Sequence, residues 1–143
     1  MGNRATVSFA GTGPAAPCVY LHWNGGRCSV EAFLDVVRSE REKTTSPGAH
    51  IAPIAARDAF ARAALAFIGS SVYVGRYDAC DTDNHDNGTY VVDSNLDITD
   101  RLFMRNCQEE NDDVKRAAIV GETLAKARVM GEEAYRAQLV PAA

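Results

Sequence analysis

The stretch PIAARDAFARAALAFIG, residues 53–69, decides the fold because it predicts the helix on which the rest of the chain packs. Pro53 suits the first turn of a helix, and Gly69 suits its C-terminal cap. Between them, apolar side chains recur at helical spacing and form one stripe: Phe60, Ala63, Ala64, Phe67 and Ile68. Since alanine allows close approach to a sheet, we predict that this is the central packing helix.

Strand patterns lie on both sides of this helix. Before it, Ala5–Phe9 alternates apolar and polar residues, and Cys18–Trp23 is rich in β-branched and aromatic residues, so a hairpin is predicted. A helix from about Val30 to Lys43 follows, with Ser29 as its N-cap. After the central helix, three strands and a last helix are predicted at Val72–Tyr77, Thr89–Asp93, Leu96–Phe103 and roughly 111–138.

The resulting order, β-β-α-α-β-β-β-α, predicts an α+β protein. Strands grouped in hairpins favour a mostly antiparallel sheet with the helices packed on one face. Residues 1–103 are predicted to form a single α+β domain. Residues 104–143 are predicted to form an acidic linker and a C-terminal helix that packs on this domain or on a partner.

Charge is distributed unevenly along the 143 residues. The net charge is −4, but residues 1–77 carry +3 and residues 78–143 carry −7. The acidic residues concentrate between Asp78 and Asp113, and such a belt argues against direct nucleic-acid binding, which needs a basic surface. It suits a cation, a basic protein partner, or nothing beyond solubility.

The sequence contains no pattern typical of a membrane or exported protein. The longest apolar stretch, Ala59–Ile68, is interrupted by Arg62 and is shorter than the roughly 20 residues of a membrane span. No basic region followed by an apolar run begins the sequence. The four cysteines are scattered, so reduced thiols and a cytoplasmic location are predicted.

The first motif that could carry function is YLHWNGG, residues 20–26. A strand that ends in two glycines presents its last side chains at a sheet edge. His22 can donate or accept a hydrogen bond, Trp23 offers a flat stacking surface, and Asn24 both donates and accepts hydrogen bonds. The alternative, which the sequence favours, is structural: Trp23 in the core, His22 hydrogen-bonded at the edge, and Asn24 in a turn.

The second motif is DACDTDNHDNG, residues 78–88. Asp81, Asp83, His85 and Asp86 are candidate ligands for a divalent cation, and no other cofactor is predicted. The pattern fails as a calcium loop, because neither its glycine nor its last carboxylate stands at the required position. Magnesium or manganese for phosphoester chemistry is one alternative. A solvated acidic turn is the other, and the sequence favours it.

Several stretches together resemble a family of small proteins encoded by phages, prophages and conjugative elements. The resemblance covers most of residues 1–103 and rests on MGNRA (1–5), VYLHWNGG (19–26), SVEAFL (29–34), VG (74–75) and DNGTYVV (86–92), with Ile98 and Arg101 after them. It carries no catalytic roles. It implies a cytoplasmic accessory protein of a mobile element, and it groups six residues as a shared binding site: His22, Trp23, Asn24, Asp86, Asn87 and Tyr90.

Three functions are compatible with these observations. The leading hypothesis is a non-enzymatic binding protein that inhibits a host protein, such as a defence factor. The first alternative is a metal-dependent or nucleotide-binding enzyme that uses His22 and the Asp81–Asp86 region. The second is an oligomeric structural protein that forms a homodimer through its C-terminal helix.

Overall fold

The computed structural model describes residues 3–43, 50–105 and 112–131, together with the backbone of residues 140–141. These residues form one sheet and three α-helices. The strands are β1 (Ala5–Ser8), β2 (Pro17–Leu21), β3 (Val72–Arg76), β4 (Thr89–Val92), β5 (Ile98–Leu102) and the two-residue β6 (Val140–Pro141). The helices are α1 (Arg27–Glu42), α2 (Pro53–Ile68) and α3 (Asp113–Val129).

The strands lie in the order β5-β4-β1-β2-β3-β6. The pairs β1–β2, β2–β3 and β4–β5 are antiparallel, so the predicted α+β class with a mostly antiparallel sheet is confirmed. The central pair β1–β4 is parallel, and β6 runs parallel to β3. The predicted order therefore needs two changes: the sheet is mixed, and a short strand follows the last helix.

The two faces of the sheet differ in what covers them. Val7, Val19 and Tyr90 lie side by side on one face and belong to the hydrophobic core that the helices complete. On the opposite face, Thr6 donates from its hydroxyl to the carbonyl of Asp81 at 2.9 Å. The segment that follows β3 therefore crosses this second face, which explains why the polar side chains of β1 are also buried.

Helix α2 is central to the core, as its alanine pattern predicts. It contacts β2, β3 and both other helices. Phe60 is fully buried, and its ring packs edge-on against Phe9 and Phe33 with centroid separations of 5.6 and 5.8 Å. Gly69 ends the helix in the left-handed conformation, with its N–H bonded to the Leu65 carbonyl.

Helix α1 begins earlier than predicted. Its N-cap is Gly26, and Ser29 is buried within the first turn, so the assignment of Ser29 as the cap was wrong. The buried face of the helix starts at Cys28, two residues before the predicted start of the helix at Val30. The helix thus begins immediately after Gly25 and Gly26.

Helix α3 packs on α1 and α2 of its own chain. Asp112 caps its N-terminus by accepting from the backbone N–H groups of Val114 and Lys115. Arg116 pairs with Glu31 and Asp35 on α1, so these ion pairs connect the two helices. The predicted helix continued to residue 138, but α3 ends at Val129, and residues 132–138 lie outside the described part of the chain. None of the helices in the described ranges is long and apolar enough to cross a membrane.

The aromatic contacts of α2 predict a large stability loss for Phe60→Ala. Removing this ring leaves a cavity among Phe9, Phe33 and the sheet, so the free energy of unfolding should fall by about 3–5 kcal/mol. Ile54→Ala on the same helix is the matched control, because Ile54 is 60% exposed and should change stability by less than about 0.5 kcal/mol. Urea unfolding followed by circular dichroism measures both. Equal losses in the two variants would contradict the central role of α2.

Candidate functional site

Both sequence motifs lie at one end of the sheet. At this end β1, β3 and β4 begin and β2 and β5 end, which follows from the strand directions. YLHWNGG leaves β2 here, and DNGTYVV enters β4 here. We call this the motif end of the sheet.

Residues 3–5 lie between the two motifs and bond to both. On one side the Asn3 N–H donates to the His22 carbonyl at 3.1 Å, and the Gly25 N–H donates to the Asn3 carbonyl at 2.7 Å. On the other side the Arg4 carbonyl accepts from the backbone and the side-chain amide of Asn87, at 3.1 and 3.0 Å. The motifs are therefore joined through the N-terminal segment.

Gly25 is required by this close approach. A Cβ atom at Gly25 would stand 2.5 Å from the Asn3 carbonyl oxygen and 2.7 Å from the Cβ of Ala5. Real Cβ atoms do not approach backbone so closely, so another residue would push β1 away from β2. Gly88 meets a similar limit on the far side, since its φ is +65° and a Cβ there would collide with the Leu102 carbonyl.

Tyr90 connects the motifs directly. It is fully buried, and its hydroxyl donates to the Gly25 carbonyl at 2.7 Å. Burial raises the pKa of this hydroxyl to about 12, so it stays protonated and keeps donating at neutral pH. The guanidinium carbon of Arg101 lies 3.7 Å from the ring centroid, a cation–π contact. Tyr90 therefore connects the two motifs from within the protein interior and does not face solvent.

Asp86 and Asn87 also bind within the chain. The Asp86 carboxylate accepts from the Arg4 side chain at 2.7 Å and from the Arg4 backbone N–H at 3.1 Å. The hydrogen bond from the Arg4 side chain is the main reason why the pKa of Asp86 lies below its usual value. Asn87 is buried and donates to the Asn3 side chain as well as to the Arg4 carbonyl.

Asn84 organises this loop. Its side chain is fully buried. The side-chain oxygen accepts from the N–H groups of Asp86 and Gly88, and the amide donates to the carbonyls of Asp81 and Gly88. Asn84 was not among the predicted site residues, although an asparagine two residues before Asp-Asn-Gly is a signal for a side-chain-stabilised turn.

His22 and Trp23 lie where the motif end meets solvent. Their rings are 4.8 Å apart in an edge-to-face arrangement. Trp23 is 41% exposed, so its assignment to the core was wrong. The strand ends at Leu21, so Trp23 lies outside the sheet. Asn24 then takes a left-handed φ of 59° and turns the chain into Gly25 and Gly26, and the Trp23 ring stays at the surface.

The aromatic surface continues along β2 and β3. The Tyr20 hydroxyl lies 3.4 Å from Nδ1 of His22, and the Tyr20 and Tyr73 rings are 6.0 Å apart. All three side chains are half-buried on the face away from the helices. Together with Trp23 they form what we call the aromatic surface: Tyr20, His22, Trp23 and Tyr73.

Backbone strain concentrates at the same end. Among the described residues, five that are not glycine have a left-handed φ. Four of them, Asn24, Ser71, His85 and Phe103, lie in the segments that meet at the motif end. A left-handed non-glycine residue costs of the order of 1–3 kcal/mol, and such residues cluster at functional sites.

The candidate cation ligands are distributed along the loop without converging. Asp83 pairs with Arg105 at 2.8 Å, Asp86 pairs with Arg4, and Asp81 and His85 are exposed. In the parts of the chain that the structure describes, no three His, Cys, Asp or Glu residues form a group that could hold a metal ion. The divalent-cation site stays a prediction.

Of the six residues grouped by the family resemblance, the structure brings Asp86, Asn87 and Tyr90 into contact with residues 3–25. His22 and Trp23 form the exposed part of the site, while Asn24 shapes the turn and donates to the Ser29 hydroxyl at 3.5 Å. No family model, curated protein or solved structure matches this chain. The mobile-element resemblance therefore stays a prediction.

The close approach at Gly25 predicts that alanine substitution changes the stability very differently at the two adjacent glycines. Gly25→Ala should lower the free energy of unfolding by about 1–3 kcal/mol or more, because the added methyl group meets backbone atoms. Gly26→Ala should change it by less than about 1 kcal/mol, since Gly26 has an ordinary φ of −67° and a Cβ there would make only an ordinary 3.6 Å contact with the Asn3 side-chain amide. Chemical unfolding of both variants measures the difference. A Gly25→Ala protein as stable as Gly26→Ala would refute the tight contact.

The Arg4–Asp86 contact predicts a pH-dependent stability. Because the folded pKa of Asp86 is lowered, the pair contributes stability above the unfolded pKa of about 4, and this is lost as the pH falls through the folded pKa. The stability difference between wild type and Asp86→Asn should therefore be largest near neutral pH and shrink in acid. Asp78→Asn, which removes an exposed pair with Arg76, is the control. A difference that is constant with pH would contradict the assignment.

Proposed function

We propose that the protein is a non-enzymatic binding protein whose partner contacts the aromatic surface at the motif end. The observation that supports this most strongly is the exposure of Trp23 beside His22 on a rigid turn. Tryptophan and tyrosine dominate the binding energy of protein interfaces, because a large ring loses little conformational entropy when it is covered. Such a residue kept at the surface, on strained backbone, is better suited to a partner than to the core.

Rigidity supports the proposal. The turn that carries Trp23 is fixed by the Gly25 N–H bond to Asn3 and by the Tyr90 hydroxyl. A surface that is already ordered loses less entropy on binding, which raises affinity without new contacts.

The surroundings of the aromatic surface favour a protein partner over a nucleic acid. Arg4 and Arg105 are neutralised by Asp86 and Asp83, so the motif end has mixed charge. Exposed Phe103 and Met104 add apolar area where β5 ends. A mixed polar rim around aromatic groups is typical of protein interfaces, whereas nucleic-acid sites carry unpaired basic residues.

The family resemblance supplies the class of partner. An accessory protein of a mobile element acts on the cell that carries it, so we propose a host protein, such as a defence factor, as the partner. The net charge of −7 in residues 78–143 favours a partner with a basic surface.

Capture and measured affinity test this proposal. Wild-type protein, Trp23→Ala and Ile54→Ala are immobilised and exposed to host lysate, and any retained protein is purified for titration against all three. Trp23→Ala should weaken binding at least about tenfold, as expected for a buried interface aromatic. Ile54→Ala removes an exposed apolar group from α2 and should bind like wild type.

Equal affinity of Trp23→Ala and wild type would refute the aromatic surface as the interface. Light scattering of the free protein detects self-association, and a dimer that Trp23→Ala leaves intact would favour the alternative of a homodimer through the C-terminal helix. A thermal shift with Mg²⁺ or Mn²⁺ that disappears in Asp81→Asn and Asp83→Asn would instead favour the metal-dependent enzyme.

A further inference from the structure

Cys18 lies on the face of the sheet away from the helices, and the segment that carries Cys80 crosses the same face. Cys18 lies on β2 between Ser8 of β1 and Gly75 of β3. Gly75 contributes no side chain beside Cys18, and the segment that follows β3 begins two residues later.

Three hydrogen bonds bring that segment back over Cys18. The Tyr77 N–H donates to the Ala16 carbonyl at 2.8 Å, and the Asp78 N–H donates to the Pro14 carbonyl at 3.1 Å. The hydroxyl of Thr6, one strand away, donates to the Asp81 carbonyl at 2.9 Å. Cys80 stands between these attachment points, directly after a single 3-10 turn at Tyr77–Ala79.

The two thiols differ in their surroundings. Cys18 is fully buried, whereas Cys80 is only partly buried. Interaction between them is the main cause of a raised pKa at Cys18 and a lowered pKa at Cys80, and the charge of Arg57 lowers the latter further. A partly exposed thiol with a lowered pKa near a second thiol is the arrangement of a redox-sensitive cysteine pair.

We propose that Cys18 and Cys80 are a disulfide-forming pair, in which Cys80 reacts first with a peroxide and Cys18 then closes the bond. The Cys80 thiolate attacks one peroxide oxygen, the O–O bond breaks, and the departing hydroxide takes up the proton that Cys80 lost on ionisation and becomes water, so that Cys80 becomes a sulfenic acid. The Cys18 sulfur next attacks the Cys80 sulfur. The S–S bond forms, the S–O bond breaks, and the departing hydroxide takes the Cys18 proton as water. Two thiols are oxidised, and one hydrogen peroxide is reduced to two waters.

The bond would fix one end of the loop that carries the second motif. This loop is already bound at its far end, where Asp86 and Asn87 meet Arg4. A disulfide at Cys80 would therefore hold residues 80–88 against the sheet at both ends. The proposal is independent of the partner proposed for the aromatic surface.

Cys28 is the internal control. It is buried at the start of α1, and its thiol donates to the Asp112 carbonyl at 3.5 Å. No residue on the Cys80 segment contributes to that contact. Cys107 lies outside the described residues, so the experiment uses a Cys107→Ser background.

The test is oxidation of the folded protein with hydrogen peroxide, followed by alkylation under denaturing conditions, intact mass measurement and peptide mapping. We expect two thiols to be lost together, one cross-linked peptide pair joining residues 18 and 80, and an unmodified Cys28. The midpoint of thermal unfolding should rise on oxidation and return after reduction, because the cross-link constrains the unfolded chain.

Two variants separate the steps. In Cys18→Ala, Cys80 should stop at the sulfenic acid, which a dimedone reagent labels. In Cys80→Ser, Cys18 should stay reduced, and since Cys80 is only partly buried this variant should retain the wild-type circular dichroism spectrum. Recovery of both thiols at peroxide concentrations that oxidise glutathione would overturn the proposal. Cross-links that join Cys80 to Cys28 or to another chain would overturn it as well.

Discussion

The approach of Gly25 to Asn3 and Ala5 is the constraint on which the motif end depends. The Gly25 N–H reaches the Asn3 carbonyl, and its own carbonyl accepts from the Tyr90 hydroxyl. Gly25, which has no side chain, thus connects the segment before β1, the segment after β2 and the second residue of β4. The parallel β1–β4 pair joins segments more than eighty residues apart in the sequence, and the Gly25 contacts lie at the end of the sheet where both strands begin.

This constraint explains why the motifs contain two kinds of residue. Asn87, Gly88 and Tyr90 are buried and bond to the backbone of neighbouring segments, so their chemistry is used within the chain. His22 and Trp23 leave the same turn toward solvent, and no hydrogen bond in the described part of the chain uses the Trp23 side chain. A motif residue can therefore be essential to a site without contacting its partner.

Periodicity predicted most of the fold but not its centre. The apolar stripe of α2 and the alternation of β1 are local signals, and the structure follows both. The parallel β1–β4 pair is not local, so a reading of adjacent strands as hairpins could not find it. Trp23 was assigned to the core because tryptophan is usually buried, and the left-handed turn at Asn24 overrides that tendency.

The site itself was predictable only as two separate stretches of sequence. Their glycines indicated turns. Only the folded chain shows that a Cβ at Gly25 would stand 2.5 Å from the Asn3 carbonyl oxygen, so that no other residue fits there. The same holds for the acidic loop, where Arg4 and Arg105 approach from distant positions and take up the carboxylates of Asp86 and Asp83. In the sequence these two carboxylates are candidate cation ligands. In the structure they form ion pairs with Arg4 and Arg105 that hold the loop against the sheet. The contacts of the loop that the structure describes thus hold it beside the starts of β1 and β4 and the end of β5, and the divalent-cation site stays a prediction.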